Sequence, residues 1–388
     1  MNRILLLLFS IILVALLLLS MVNVSNLEPP QGFFFGVSFG QETVHEAKLL
    51  IDQVKEYTNL FLVSSWGIII NETALNEVCD YAAESGLTFI VFFDFINLSE
   101  EGLNWHDEWI LAAKDMWGDK FLGVYIYEEP GGKQIETGLF DEFVMDPVKA
   151  RMYENVTTYS EAAQVFVTEL SATLSFEFLT ANNISRFVSD YALYWFDYLA
   201  GYDTVFAELG WGNSVTQQIG LCRGAATAQN KEWGTIITWK NAVESPESIK
   251  SGPEMFQDML ASYVAGAKYV IVFNFPQYPE GNPYGVLTAE HFAAMQQFWQ
   301  YVCGSPEDYG KTVGQTAFVL PKDYGWVMRN PEDNIWGLWP ADNLSSIIWE
   351  NMNTLIDRYG LQLDIVYDDP RLDYGHYTTV YFYNATIE

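Results

Sequence analysis

Acidic residues stand at the ends of short apolar runs, a placement that suits carboxylate chemistry. Glu128 and Glu129 close the run Val124-Tyr125-Ile126-Tyr127 and precede Pro130. Glu208 lies inside Val205-Phe206-Ala207-Glu208-Leu209, where an isolated acid is costly unless it has a partner or a role. Asp94 and Asp190 end two further apolar runs. Beside them fall Tyr127, Trp66, Trp211, Trp239 and Asn274. Two facing carboxyls can hydrolyse a glycosidic bond: one acid protonates the leaving oxygen, and a second carboxylate attacks the anomeric carbon or activates water. Aromatic faces stack on sugar rings, and apolar surroundings keep the acid protonated near neutral pH.

These residues need elements that bring them to one place. From residue 32 the chain alternates apolar runs with amphipathic stretches. Candidate strands are 33–40, 59–65, 87–95, 121–128, 186–191, 203–210, 233–239 and 268–275. Candidate helices are 43–57, 73–85, 106–117, 159–180, 192–200, 214–230, 253–265 and 288–302. Short apolar runs rich in Val, Ile and Phe suit buried parallel strands. Eight such strands alternating with eight helices predict an α/β fold, a (β/α)8 TIM barrel over residues 32–304. A small α/β domain follows over 312–388, with strands at 316–320, 361–367 and 377–383. Its helix at 343–359 is capped by Asp342 or Asn343.

A (β/α)8 barrel carries its active site at the C-terminal ends of its strands, where the acids and aromatics above fall. Strand alternation turns Glu128 and Glu129 to opposite sides, and Glu129 is read as the one facing the mouth. The following Pro130 is expected to hold Glu129 extended. Asp94 and Asp190 read as binding or structural groups. Trp66, Trp211 and Trp239 are candidate stacking platforms. For Glu208 the competing reading is a solvated strand end or a structural ion pair. The link over 129–158 is long for a loop, and suits either a binding loop or a solvated insertion.

Composition narrows the classes. The chain has 388 residues, half of them hydrophobic and 16% aromatic, which is too apolar for a disordered protein. It carries 19 basic and 50 acidic residues, a net charge of −31. With 7 Arg and 12 Lys scattered along the chain, nucleic acid is excluded as a partner. Cys79, Cys222 and Cys303 form no CxxC pair and read as small buried hydrophobes. Four separated histidines give no metal motif. Gly36-Val37-Ser38-Phe39-Gly40 matches the nucleophile elbow of serine hydrolases. It falls in the first strand, however, and reads better as small residues at a tight place. No phosphate-binding or dinucleotide glycine motif is present.

The first segment bears on location. Met1-Asn2-Arg3 precedes nineteen mostly apolar residues, Ile4 to Val22, about 28 Å as a helix. Residues 1–22 are read as a transmembrane anchor or signal segment, with an uncleaved anchor preferred, and 23–31 as a linker. Arg3 would remain cytoplasmic and the rest be exported, giving a membrane-anchored protein with an extracytoplasmic domain, or a secreted one. Seven Asn-x-Ser/Thr sequons, at Asn23, Asn71, Asn97, Asn155, Asn183, Asn343 and Asn384, agree with that route.

The run Val124-Tyr125-Ile126-Tyr127-Glu128-Glu129-Pro130 resembles the strand-four Asn-Glu-Pro signature of the (β/α)8 glycoside hydrolases. Leu363-Asp364-Ile365-Val366-Tyr367 is similar to part of the amidotransferase-like domain that follows the barrel in some beta-galactosidases. The resemblance implies sugar substrates, no organic cofactor, and an acid/base role for Glu129. The beta-galactosidase pattern has a nucleophilic Glu at the end of strand seven. This chain has Ile236-Ile237-Thr238-Trp239 there, with Glu244 further on. Glu208 takes the nucleophile or water-activating role by position, with Glu128 in reserve. The expectation is a glycoside hydrolase-like protein acting on extracellular or cell-surface glycans. The alternative is a non-catalytic carbohydrate-binding or scaffold protein on the same barrel, with oligomer formation open in either case.

Overall fold

The structure is a computed structural model, and it describes residues 28–93, 105–138, 155–172, 174–210, 212–238, 249–273 and 287–387. Eight parallel strands close into a barrel: β1 (Phe34–Phe39), β2 (Leu60–Val63), β3 (Thr88–Phe92), β4 (Phe121–Glu128), β5 (Arg186–Asp190), β6 (Thr204–Leu209), β7 (Glu232–Thr238) and β8 (Tyr269–Phe273). β1 pairs with both β2 and β8, which seals the ring. Every candidate barrel strand forms, including the short polar-ended one at β5.

The helices are α1 (Val44–Val54), α2 (Trp66–Ile69), α3 (Glu72–Glu84), α4 (Trp105–Trp117), α5 (Pro130–Thr137), α6 (Tyr159–Ser171), α7 (Leu174–Ala181), α8 (Tyr194–Ala200), α9 (Val215–Gln229), α10 (Gly252–Val264), α11 (Ala289–Gly304) and α12 (Ser345–Tyr359). Two differ from the sequence reading. The expected helix over 159–180 is two helices, α6 and α7. The link after β4, expected to begin as a loop, begins as helix α5. Proline at its first position suits a helix start, but the two following glycines hide it from propensity.

Two apolar layers follow from strand alternation. Inside the barrel, Leu60, Leu62, Ile90, Tyr125, Phe187, Phe206, Ile236, Tyr269 and Ile271 form one buried cluster. The opposite faces of the same strands pack outward against the helices. Gly36 is where β1 and β2 come closest: a Cβ there would lie 2.0 Å from the Leu60 carbonyl oxygen. Ser38 is fully buried. The Gly-x-Ser-x-Gly run is therefore a packing feature. All three cysteines are buried, free thiols on helices α3, α9 and α11.

Three more parallel strands, β9 (Thr316–Leu320), β10 (Leu363–Tyr367) and β11 (Thr379–Phe382), make a second sheet in the order β10-β9-β11. Asp342 supports the start of α12, accepting the amides of Leu344 and Ser345 at 2.8 and 3.2 Å. The small sheet docks on α9. At Gly220 and Gly224 a Cβ would lie 2.8 and 2.7 Å from the carbonyl oxygens of Leu363 and Ile365, so helix and strand backbones touch. Between those glycines Arg223 is buried and donates Nε–H to Asp364 Oδ1 at 2.7 Å. Its other N–H groups reach the carbonyls of Thr312, Leu361 and Leu363. Trp336 packs fully buried against Phe166 and Phe196. Its carbonyl takes Gln134 Nε2–H from α5 at 2.9 Å, so the chain after β9 braces the helix that follows β4.

Residues 1–27 lie outside the described residues, and with them the anchor or signal segment read at 1–22. Among the described residues no helix is long and apolar enough to cross a membrane.

Candidate active site

Alternation along β5 and β6 builds the first half of the site. Phe187 and Phe206 belong to the lumen cluster. Ser189 and Glu208, each two residues on, share those faces and form a polar layer above it. Tyr125 and Ser189 hydrogen-bond through their hydroxyls at 2.6 Å, and Ser189 donates to Glu208 Oε1 at 2.6 Å. Glu208 is only 4% exposed. Burial, and then the neighbouring carboxylate of Glu129, with which it hydrogen-bonds, push its pKa well above the usual carboxylate range. Glu208 therefore holds a proton at neutral pH.

Glu129 arrives from β4 by an unusual backbone path. It has φ 54° and ψ 42°, a left-handed conformation, and caps α5 with Pro130 behind it. This corrects the expectation of an extended residue. The clash with proline disfavours the right-handed helical region for Glu129. With no linker between strand and helix, the turn uses the left-handed region instead. Tyr127 is also left-handed, at φ 63°, and the β4–β5 register slips between Tyr125 and Glu128. Such conformations cost about 1–3 kcal/mol each and collect at functional sites. The Glu129 amide donates to the Ser189 carbonyl at 2.9 Å, which fixes β4 against β5 at this turn.

Asp190 has a different place from the one expected. Its strand position sends it outward, away from the lumen face that holds Ser189. It is fully buried and accepts four backbone amides: Gly131 at 2.5 Å, Gly132 at 2.9 Å, Tyr191 at 2.8 Å and Ala192 at 3.0 Å. A carboxylate so engaged under a helix is not offered to a sugar. Burial pushes its pKa up to about 7 against the pull of those amides. Asp197 on α8 is buried with no hydrogen-bond partner for either oxygen. Burial and the nearby Asp190 push its pKa well above the ordinary value.

The other candidates divide. Glu128 is half-buried at the end of β4. Tyr127 is 5% exposed and packs in the outer apolar layer, because the backbone irregularity around it resets the alternation. Trp66 is 54% exposed at the start of α2, just after β2. Asp94, Trp211, Trp239 and Asn274 lie outside the described residues. Sequence reasoning missed Ser189 and Tyr125; counting by twos from the lumen aromatics would have found Ser189. Among the described residues no group of three or more His, Cys, Asp or Glu is placed to hold a metal ion.

The arrangement is a carboxyl pair sharing a proton, Glu208 with Glu129. Hydrogen-bonding contact is closer than the roughly 5–5.5 Å between carboxyls in retaining glycosidases or the roughly 6.5–9.5 Å in inverting ones. A substrate bond can lie between these two groups only after they part. The polarity also differs from the sequence assignment: the proton sits on Glu208, which was read as the nucleophile or base.

No protein-family profile matches the chain, and no curated protein matches it. Among solved structures the chain is similar to alpha-L-fucosidase isoenzyme 2 from Paenibacillus thiaminolyticus, at 11% identity and a TM-score of 0.54. The match covers 90% of this chain but 59% of that one, so the chain spans well under two thirds of the fucosidase's length. It also matches endo-1,4-beta-mannanase from Eisenia fetida at 10% identity and a TM-score of 0.42, covering 68% of this chain and 90% of that one. Beta-1,4-D-mannanase from Cryptopygus antarcticus matches at 12% identity and a TM-score of 0.41, covering 68% and 89%. At this identity the fucosidase likeness establishes the fold, a (β/α)8 barrel of glycoside hydrolase-like architecture, and nothing finer.

Proposed function

We propose that this chain is a glycoside hydrolase-like enzyme acting on extracellular or cell-surface glycans through two carboxyls. The single observation that carries the reading is the buried, proton-holding Glu208 against Glu129, at the C-terminal ends of β6 and β4. Barrels of this kind hold their active sites at that end. Glu208 is the general acid, poised by burial. Glu129 is the nucleophile or water-activating base once substrate separates the pair, with Glu128 in reserve. Trp66 is a sugar-stacking surface. The test is a panel of aryl glycosides and oligosaccharides with the full chain, E129Q and E208Q. Loss of an acid or base typically costs about 10²- to 10⁴-fold in rate, so each variant should lose turnover while still binding sugar.

The second reading is a carbohydrate-binding barrel without catalysis. The closed contact between Glu129 and Glu208 favours it, since no bond fits between them as they stand. Retained ligand with no turnover on the whole panel would decide for it.

We also propose export, with the 1–22 segment as anchor or signal. Supporting this, the five sequon asparagines within the described residues, Asn71, Asn155, Asn183, Asn343 and Asn384, are all exposed. Glycan removal should raise gel mobility, and the protein should partition with membranes or medium; a cytoplasmic, unmodified chain would refute it.

A further inference from the structure

Helix α5 starts without the usual cap. An N-cap side chain ordinarily accepts an amide of the first helical turn, but Glu129, at that position, makes no such bond. The amides of Gly131 and Gly132 go instead to Asp190 Oδ2 and Oδ1, on the neighbouring strand. Oδ1 also takes the amides of Tyr191 and Ala192, so the turns after β4 and β5 close on one carboxylate. We infer that Asp190 is a positioning residue: by capping α5 in place of Glu129, it frees the Glu129 carboxyl to meet Glu208.

The local sequence is shaped for this clamp. A Cβ on Gly131 would lie 2.8 Å from Asp190 Oδ2 and 2.7 Å from the Ala192 carbonyl oxygen. A Cβ on Gly132 would lie 2.1 Å from the Tyr191 ring. Only two glycines let the first turn of α5 descend onto the β5 turn. The left-handed conformation of Glu129 then follows from two anchored ends: its amide is held by the Ser189 carbonyl and its helix by Asp190. Were Glu129 to cap its own helix, its carboxyl would turn toward the amides of Gly131 and Gly132 and leave Glu208. Ser189 and Asp190 thus divide the work: one side of β5 holds Glu208, the other holds the helix of Glu129.

This inference rests on the carboxyl pair proposed above, and its test separates the two. The readout is the titration midpoint of Glu208, followed by carboxyl ¹³C NMR on the full chain and assigned by its loss in E208Q. E129Q should lower that midpoint by removing the neighbouring charge. D190N should lower it in the same direction, by about one pH unit, because Glu129 swings away to cap α5. G131A keeps the Asp190 charge and disturbs only its approach to the helix. It should act likewise, and it decides the matter if D190N does not fold. If E129Q lowers the midpoint while D190N and G131A leave it at the wild-type value, Asp190 merely holds the fold and the inference fails. If E129Q also leaves it unchanged, the carboxyl contact itself is wrong, and the catalytic reading falls first.

Discussion

Ser189 serves both members of the carboxyl pair: its hydroxyl donates to Glu208 at 2.6 Å, and its carbonyl accepts the Glu129 amide at 2.9 Å. S189A removes a hydrogen bond from a buried carboxyl, at a cost of about 1–3 kcal/mol in denaturant unfolding. The lost bond favours the ionised form of Glu208. The variant should therefore move the Glu208 titration further up, and with it the basic limb of any pH–rate profile. A downward move would place Ser189 outside the site's electrostatics.

Stability should fall as pH rises toward neutral. Glu208, Asp190 and Asp197 all have native pKa values above their unfolded ones. Between the unfolded value near 4 and the native value, the native state binds the extra protons. Stability is then lost as pH climbs through that window, which for Asp190 ends at about 7. Each excess proton contributes a slope of up to about 1.4 kcal/mol per pH unit. Asp203, whose pKa is lowered by Arg186 despite burial, works the other way. Urea unfolding at pH 5 and pH 7.5 checks this. E208Q and D197N should each gain more, relative to wild type, at pH 7.5 than at pH 5.

The junction between barrel and small sheet should depend on Arg223 and Asp364. Both are buried, and Asp364 Oδ2 also takes the Tyr377 hydroxyl at 3.0 Å. Removing one partner leaves the other charge buried and unpaired, which costs about 3–5 kcal/mol. D364A should lower the melting temperature sharply. A double replacement of the pair by apolar residues should recover much of the loss.

Trp336 should couple stability to the site. W336A removes a fully buried ring, for about 3–5 kcal/mol. It also empties the space behind the carbonyl that holds Gln134 on α5. Turnover, if present, should fall by more than the fraction unfolded explains, and circular dichroism alongside rates would show it.

Much of this protein could be read from residue order. Runs such as Phe61–Val63 and Val270–Phe273 are apolar on both faces because parallel barrel strands are buried on both sides, so each strand announced itself locally. Glu208 stood out as the one acid in such a run. Helix α5 did not, because Pro130-Gly131-Gly132 reads as a turn by propensity and is held as a helix by Asp190 from another strand.

What the sequence alone determined is the alternation of strands and helices, and hence the barrel and the end of it where acids collect. Those are properties of neighbouring residues and of a period of two. Tertiary structure alone decided that Glu208 holds the proton, that Glu129 turns left-handed and touches it, and that Asp190 faces a helix instead of the lumen. The physical reason is that a pKa and a carboxyl contact depend on distance and burial in space. Those are set by ring closure and by the registers of β4, β5 and β6, which bring together groups far apart along the chain.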